Sequence, residues 1–244
     1  MNSKGYVLDA RLDVPQGSPK AYAIYVHCFT CTKEIHIAHR ISLFLTNHQI
    51  AVLRFDFTGL GGSQGNFAES NFTSNVDDIK SAAQFLRENY QPAQLIIGHS
   101  LGGTAALVAT QQLNEIRAVV TLNSPYHPSH VMHHFEAEKM KILNEGQSDI
   151  SVDGRTFQLK KQFLDDLKSY DMTSILPHLN AALLIMHAPE DDIVSIQNAS
   201  SIFAMAKHPK SFICLDQTDH LISRLDNAQY VANLIYQWVF KYLE

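Results

Sequence analysis

A mostly parallel α/β sheet with helices on both faces is the fold class predicted by this sequence of 244 residues. Three observations predict it. Strand-length apolar runs alternate with helix-length amphipathic stretches, the rhythm of a doubly wound sheet. The runs are apolar nearly throughout, as strands buried on both faces are. A G-x-S-x-G sequence, Gly98-His99-Ser100-Leu101-Gly102, follows one such run and opens a stretch of small residues. That is the pattern of a strand, a sharp turn and a helix.

The elements follow in order. Residues 7–14 alternate and fit an antiparallel edge strand. Residues 21–27, 51–55, 95–97, 118–123, 182–187 and 211–215 read as buried strands. Between them, 37–47, 75–89, 102–113, 196–206 and 228–242 carry helical periodicity. Residues 124–179 break the rhythm. They hold a His- and Met-bearing helix at 129–144, a hairpin at 149–158 turning at Asp153-Gly154, and a helix at 161–169. An insertion there falls at the carboxyl ends of the strands, where open α/β sheets bind ligands, and is expected to cap the pocket of a single domain spanning 1–244.

Composition narrows the function. Hydrophobic residues make up 45% and charged ones 18%, which argues against disorder. A net charge of −5 gives no reason to expect nucleic acid as a partner. No apolar run reaches the roughly 18 residues a membrane span needs. The N-terminus lacks a signal-peptide stretch, and three cysteines make no disulfide framework, so a reducing cytoplasm is the expected compartment.

A serine held at such a turn presents its hydroxyl out of the fold beside a helix N-terminus. It needs a base, and the base an acid. After Ser100 the acids follow the run 182–187: Asp191 is the choice, ahead of Asp192 and then Glu190. His220 is the sole histidine after the run 211–215 and is the expected base; its neighbour Asp219 reads as a helix cap. The oxyanion donors are expected to be the backbone N–H groups of Leu101, just after the nucleophile, and Phe29, in the loop after 21–27.

The strings HCFTC (27–31), LRFDFTGLGGSQGNF (53–67), GHSLGG (98–103), GRTFQLKKQFLDDL (154–167), HAPEDDIVSIQNAS (187–200), AKHPKSF (206–212) and DH (219–220) resemble those of one α/β-hydrolase group. Its members occur alone or fused to an OsmC-like peroxidase domain. The resemblance implies the α/β-hydrolase fold and a Ser–Asp–His hydrolase that needs no cofactor. It places Ser100, Asp191 and His220 in the three roles, with Phe29 and Leu101 at the oxyanion hole. It also suggests a separate OsmC-like protein as partner, since the sequence ends at Glu244 with no such domain. The short stretch before residue 21 leaves the fold's first edge strand missing or short.

Other features have readings of their own. Cys28 and Cys31 are a candidate redox pair whose oxidation would displace the Phe29 N–H; the simpler expectation is two small packing thiols. His130, His133 and His134 would share one face of an α-helix and are expected to line the cap rather than bind metal. His27, His99 and His187 are expected to make structural hydrogen bonds, and Lys160-Lys161 to be a solvated pair. The glycine-rich stretch 56–63 lacks dinucleotide-binding spacing and reads as a loop beside the pocket. The function expected is hydrolysis of a small or medium ester, thioester or amide. The alternatives are a cofactor-free perhydrolase and a noncatalytic binder on the same fold.

Overall fold

The computed structural model describes residues 1–152 and 154–243. Among these, seven strands form one sheet in the order β1-β3-β2-β4-β5-β8-β9. They are β1 (Ala10–Asp13), β2 (Ala21–Val26), β3 (Ile50–Phe55), β4 (Leu95–His99), β5 (Ala118–Leu122), β8 (Ala182–His187) and β9 (Lys210–Cys214). All neighbours run parallel except β1, which pairs antiparallel with β3. The remaining strands, β6 (Gln147–Val152) and β7 (Arg155–Lys160), form a separate hairpin. Asp153 of its turn lies outside the described residues. The opening strand is short, four residues where 7–14 was read.

Alternation along each strand explains the apolar runs. In β2, Tyr22, Ile24 and Val26 pack into one core, and Ala21, Ala23 and Tyr25 into the other. The first core is closed by α2 (Phe72–Asn89), α3 (Leu101–Thr110) and α7 (Gln197–Met205). The second is closed by α1 (His36–Asn47) and α8 (Leu225–Val239). With both faces covered, neither can be polar. Arg54 of β3 is a charged exception. It is fully buried and donates to the Asp13 carboxylate at 2.8 Å and to the Lys33 carbonyl at 2.6 Å, fixing the loop after β2 to the sheet edge.

Two helix readings are corrected. α2 starts at Phe72 rather than residue 75, because Asn71 and Ser74 form a reciprocal capping box ahead of the apolar periodicity. The single helix expected over 129–144 is two pieces. Pro128–Phe135 is a 3₁₀ helix, and α4 (Glu136–Glu145) follows a break at Phe135, whose φ is −140°. Phe135 is buried against Phe29 and Phe163, and that anchoring overrides helical continuity. The insertion continues through the hairpin to α5 (Lys161–Lys168) and α6 (Met172–Ile175). Lys160 is not simply solvated but pairs with Glu69.

The central turn depends on bare backbone. A Cβ on Gly102 would stand 2.3 Å from the His27 carbonyl oxygen, and one on Gly98 would stand 2.4 Å from the Gly103 Cα. Both obstacles are backbone, so neither can give way cheaply. Gly102→Ala is expected to lose about 2–3 kcal/mol of stability, a fall in Tm of roughly 4–12 °C. A thermal melt within a degree or so of wild type would show that the helix can withdraw from β2.

Candidate active site

Ser100 sits between β4 and α3 with φ 53° and ψ −129°. A serine reaches that region only under constraint. The constraint is visible on both sides: Ser100 N–H donates to the Leu122 carbonyl at 2.8 Å, and the Ser100 carbonyl accepts from Gly103 N–H at 2.9 Å. The side chain is thereby turned into a cavity of about 380 Å³, whose lining includes Cys28, Phe29, Cys31, His134, Val152 and His220. His134 and Val152 belong to the insertion, so it walls the same cavity as the serine.

The residues singled out as acid and base meet there. His220 Nε2 lies 3.1 Å from Ser100 Oγ, and His220 Nδ1 lies 2.7 Å from Asp191 Oδ2. Asp191's other oxygen accepts from the N–H groups of Ile193 at 2.9 Å and Val194 at 2.8 Å. Burial pushes the Asp191 pKa up, but the His220 hydrogen bond and charge, with those two N–H donors, outweigh it and hold the carboxyl below its ordinary value. An ionised carboxylate can only accept. His220 Nδ1 therefore carries the proton, and Nε2 is left to accept from the Ser100 hydroxyl. The runner-up acids go elsewhere: Asp192 is exposed at the cavity wall, and Glu190 accepts from Gln217 N–H at 2.9 Å. Asp219 does not cap α8; it accepts from Ser223 N–H at 2.7 Å and closes the turn before that helix.

The histidines read as structural do make such bonds. His27 Nε2 accepts from Phe57 N–H at 3.2 Å, so its Nδ1 donates to the Cys28 carbonyl at 2.8 Å. His187 Nε2 donates to the Val194 carbonyl at 2.7 Å, fixing the turn that carries Asp191. His99 Nε2 donates to the His220 carbonyl at 2.8 Å. Burial, the leading cause in each case, lowers the His27 pKa to about 4 and the His99 pKa to about 3.

One contributor escaped the sequence reading. Asn123, buried at φ 47°, donates to the His220 carbonyl at 2.9 Å and accepts from Ala188 N–H at 2.9 Å. It joins the loop that carries the base to the loop that carries the acid. The signal available was an asparagine at the end of an apolar run, which a strand reading passes over.

The loop after β2 differs from expectation. Cys28 and Cys31 are not separate packing thiols but a disulfide. The bond coexists with the assembled Ser100–His220–Asp191 chain. Phe29 N–H has no acceptor among the described residues. Leu101 N–H heads α3, where no preceding turn supplies one. The His130, His133 and His134 face dissolves because a 3₁₀ helix has three residues per turn. His130 and His133 lie edge to face at 4.9 Å, while His134 stacks on Phe29 at 6.3 Å. Among the described residues no group of three or more His, Cys, Asp or Glu could hold a metal ion. No helix among them is long and apolar enough to cross a membrane.

Comparison with known proteins agrees with this fold. Residues 17–171 match the Hydrolase_4 family, described as serine aminopeptidase, S33. The crystal structure of the esterase domain of a Rhodothermus marinus protein is 39% identical, with a TM-score of 0.81 over 100% of this chain and 96% of that domain. Est1E of Butyrivibrio proteoclasticus, solved with ferulic acid, shares the fold at 20% identity and a TM-score of 0.82, over 98% of this chain and 96% of that one. YfhR of Salmonella typhimurium, an uncharacterized protein, is 25% identical over 73% of this chain and 57% of its own. The lysophosphatidylserine lipase ABHD12 of Danio rerio is 28% identical over 71% of this chain and 44% of its own. This chain thus spans about half the length of those two relatives.

The buried neutral imidazoles predict a pH dependence. The folded pKa of His27 lies below its unfolded value of 6.5, so the unfolded chain binds the extra proton between the two. Its contribution is therefore whole above pH 6.5 and drains away as the pH falls through about 4. Thermal melts across that range should show Tm falling as acid is added. A His27→Asn variant, lower in Tm throughout, should show a shallower fall; parallel curves would remove His27 as a cause.

Proposed function

This chain belongs to the serine aminopeptidase S33 family of α/β hydrolases, and from that premise we propose that it hydrolyses small or medium acyl substrates (esters, thioesters or amides) through an acyl-enzyme on Ser100. The observation that carries the reading is the unbroken chain from Ser100 Oγ to His220 to Asp191, at 3.1 and 2.7 Å.

The steps follow from those atoms. His220 Nε2 takes the Ser100 proton as Oγ attacks the substrate carbonyl. Asp191 stabilises the imidazolium that results. The Phe29 and Leu101 N–H groups, neither committed to an acceptor among the described residues, bind the developing oxyanion; a donor of this kind typically supplies ~2.7–4 kcal/mol of transition-state stabilisation. His220 returns the proton to the leaving group. It then activates water, which releases the acid and restores the serine. Residues 124–179 act as a cap within one catalytic domain, supplying His134 and Val152 to the cavity wall.

Cavity size and charge narrow the substrate. About 380 Å³ lies near the low end of small-molecule sites. The exposed carboxylates of Asp192 and Asp219 stand in its wall and oppose an anionic acyl group. The Rhodothermus marinus esterase domain supports ester chemistry over the whole length of this chain.

Two experiments test the reading. A fluorophosphonate probe should label the wild type and fail on Ser100→Ala, whose hydrolysis of p-nitrophenyl acetate should fall by roughly 10³-fold or more. Labelling that persists in Ser100→Ala would move the nucleophile elsewhere. In an acyl panel, neutral short esters should be cleaved in preference to hemisuccinates by about 3- to 10-fold in kcat/KM, a gap that narrows with added salt as the wall charges are screened. An anionic preference would contradict the assignment of the acidic wall.

A further inference from the structure

The loop after β2 holds chemistry that acyl transfer does not use. Cys28 and Cys31 are joined by a disulfide, and both face the cavity that contains Ser100. The linked residues form a β-turn closed by Cys31 N–H donating to the Cys28 carbonyl at 3.2 Å. Its third residue, Thr30, has φ 58°. A turn with positive φ at that position belongs to glycine or asparagine, and a β-branched residue is a costly occupant. Two hydrogen bonds fasten Thr30 there. Its hydroxyl donates to the Phe29 carbonyl at 2.7 Å, and Arg155 of the hairpin donates to the Thr30 carbonyl at 2.7 Å. Phe29, whose N–H is left without an acceptor among the described residues, lies between the two linked cysteines.

We propose that Cys28 and Cys31 are a reversible dithiol–disulfide site, with small-molecule thiols and disulfides as its reactants, whose closed form holds the strained turn in the shape that presents the Phe29 N–H to the substrate. This rests on the serine-hydrolase reading above. In the closing reaction the thiolate of Cys31, the less buried of the two, attacks one sulfur of a small-molecule disulfide and releases one thiolate. The Cys28 thiolate then attacks Cys31 Sγ in the mixed disulfide and releases the second. Two electrons pass from the protein pair to the small molecule, and the two protons given up by the cysteines end on the two released thiols. Reduction is the reverse. With the bond open, Thr30 relaxes toward negative φ and carries the neighbouring Phe29 peptide out of position.

The test uses the full chain carrying Cys214→Ser, which removes the exposed third thiol from the count. The protein is poised oxidised or reduced in glutathione buffers, with the state of the pair read by alkylation and mass spectrometry. Reduction is expected to lower kcat for p-nitrophenyl acetate about tenfold with KM changed less than about twofold, and reoxidation to restore it. Cys31→Ser is expected to show the reduced rate in both buffers. Thr30→Gly, which fits the turn without a cross-link, is expected to stay within about twofold of its oxidised rate on reduction. Equal kcat in two verified states of the pair, or a Cys31→Ser rate equal to that of the oxidised protein, overturns the proposal. A fluorophosphonate probe separates the two readings. Ser100 labelled in both states with no redox effect removes the redox site alone; neither labelling nor hydrolysis in either state removes the hydrolase reading and this site with it.

Discussion

Everything at the candidate site depends on the close seating of the first turn of α3, with Gly102 against the end of β2 and Gly103 against Gly98 of β4. With no Cβ in the way, one residue alone separates β4 from α3, and Ser100 is left at φ 53° with its side chain lining the cavity. Positive φ at a serine is unfavourable by itself. It persists because the sheet holds one side, through Leu122, and the first helical turn holds the other. The hydroxyl's position is therefore a consequence of backbone packing, and it is fixed before any substrate arrives.

The base and the acid are placed by a second layer of polar groups under the site. The His220 carbonyl accepts from both His99 and Asn123, and Asn123 also takes the N–H of Ala188 ahead of the acid's turn. His187 secures that same turn through the Val194 carbonyl. These groups lie where water cannot replace a lost partner, so each bond is worth keeping. Burial also keeps His27 and His99 neutral near pH 7, as their structural roles require. His220 differs from them in facing the cavity, with a carboxylate on one ring nitrogen and a hydroxyl on the other.

The loop after β2 is held from several directions. Asp56 accepts from the Lys33 backbone N–H at 2.6 Å and from its ammonium at 2.9 Å. Arg54 holds the Lys33 carbonyl, and Arg155 reaches down from the insertion to Thr30. The insertion's aromatic residues Phe135 and Phe163 close around Phe29 from the other side. A loop that must offer a bare N–H gains from such restraint, because a donor already in place pays little reorganisation when charge develops.

Legible in the chain were the sheet, the helices on its faces and the three residues, Ser100, Asp191 and His220, that the fold brings within bonding distance. Those readings rest on local physics: two-sided burial makes strands apolar throughout, a turn tight enough to expose a serine demands glycines, and acid and base fall in the loops after particular strands. The sequence ranked Asp191 ahead of Asp192 and Glu190; in the structure Asp191 meets His220, Glu190 takes the Gln217 N–H and Asp192 stays exposed at the cavity wall. The remaining features came from contacts across the fold. The tertiary structure split the helix at Phe135, because an aromatic anchor outweighed local propensity. It kept His130 beside His133 and turned His134 away onto Phe29, because in a 3₁₀ helix residues three apart share a face and residues four apart do not. It joined Cys28 to Cys31, and it gave Asn123 its work beneath His220. Each of these depends on contacts between residues distant in sequence or on a local backbone shape those contacts impose, and neither leaves a periodic trace in the chain.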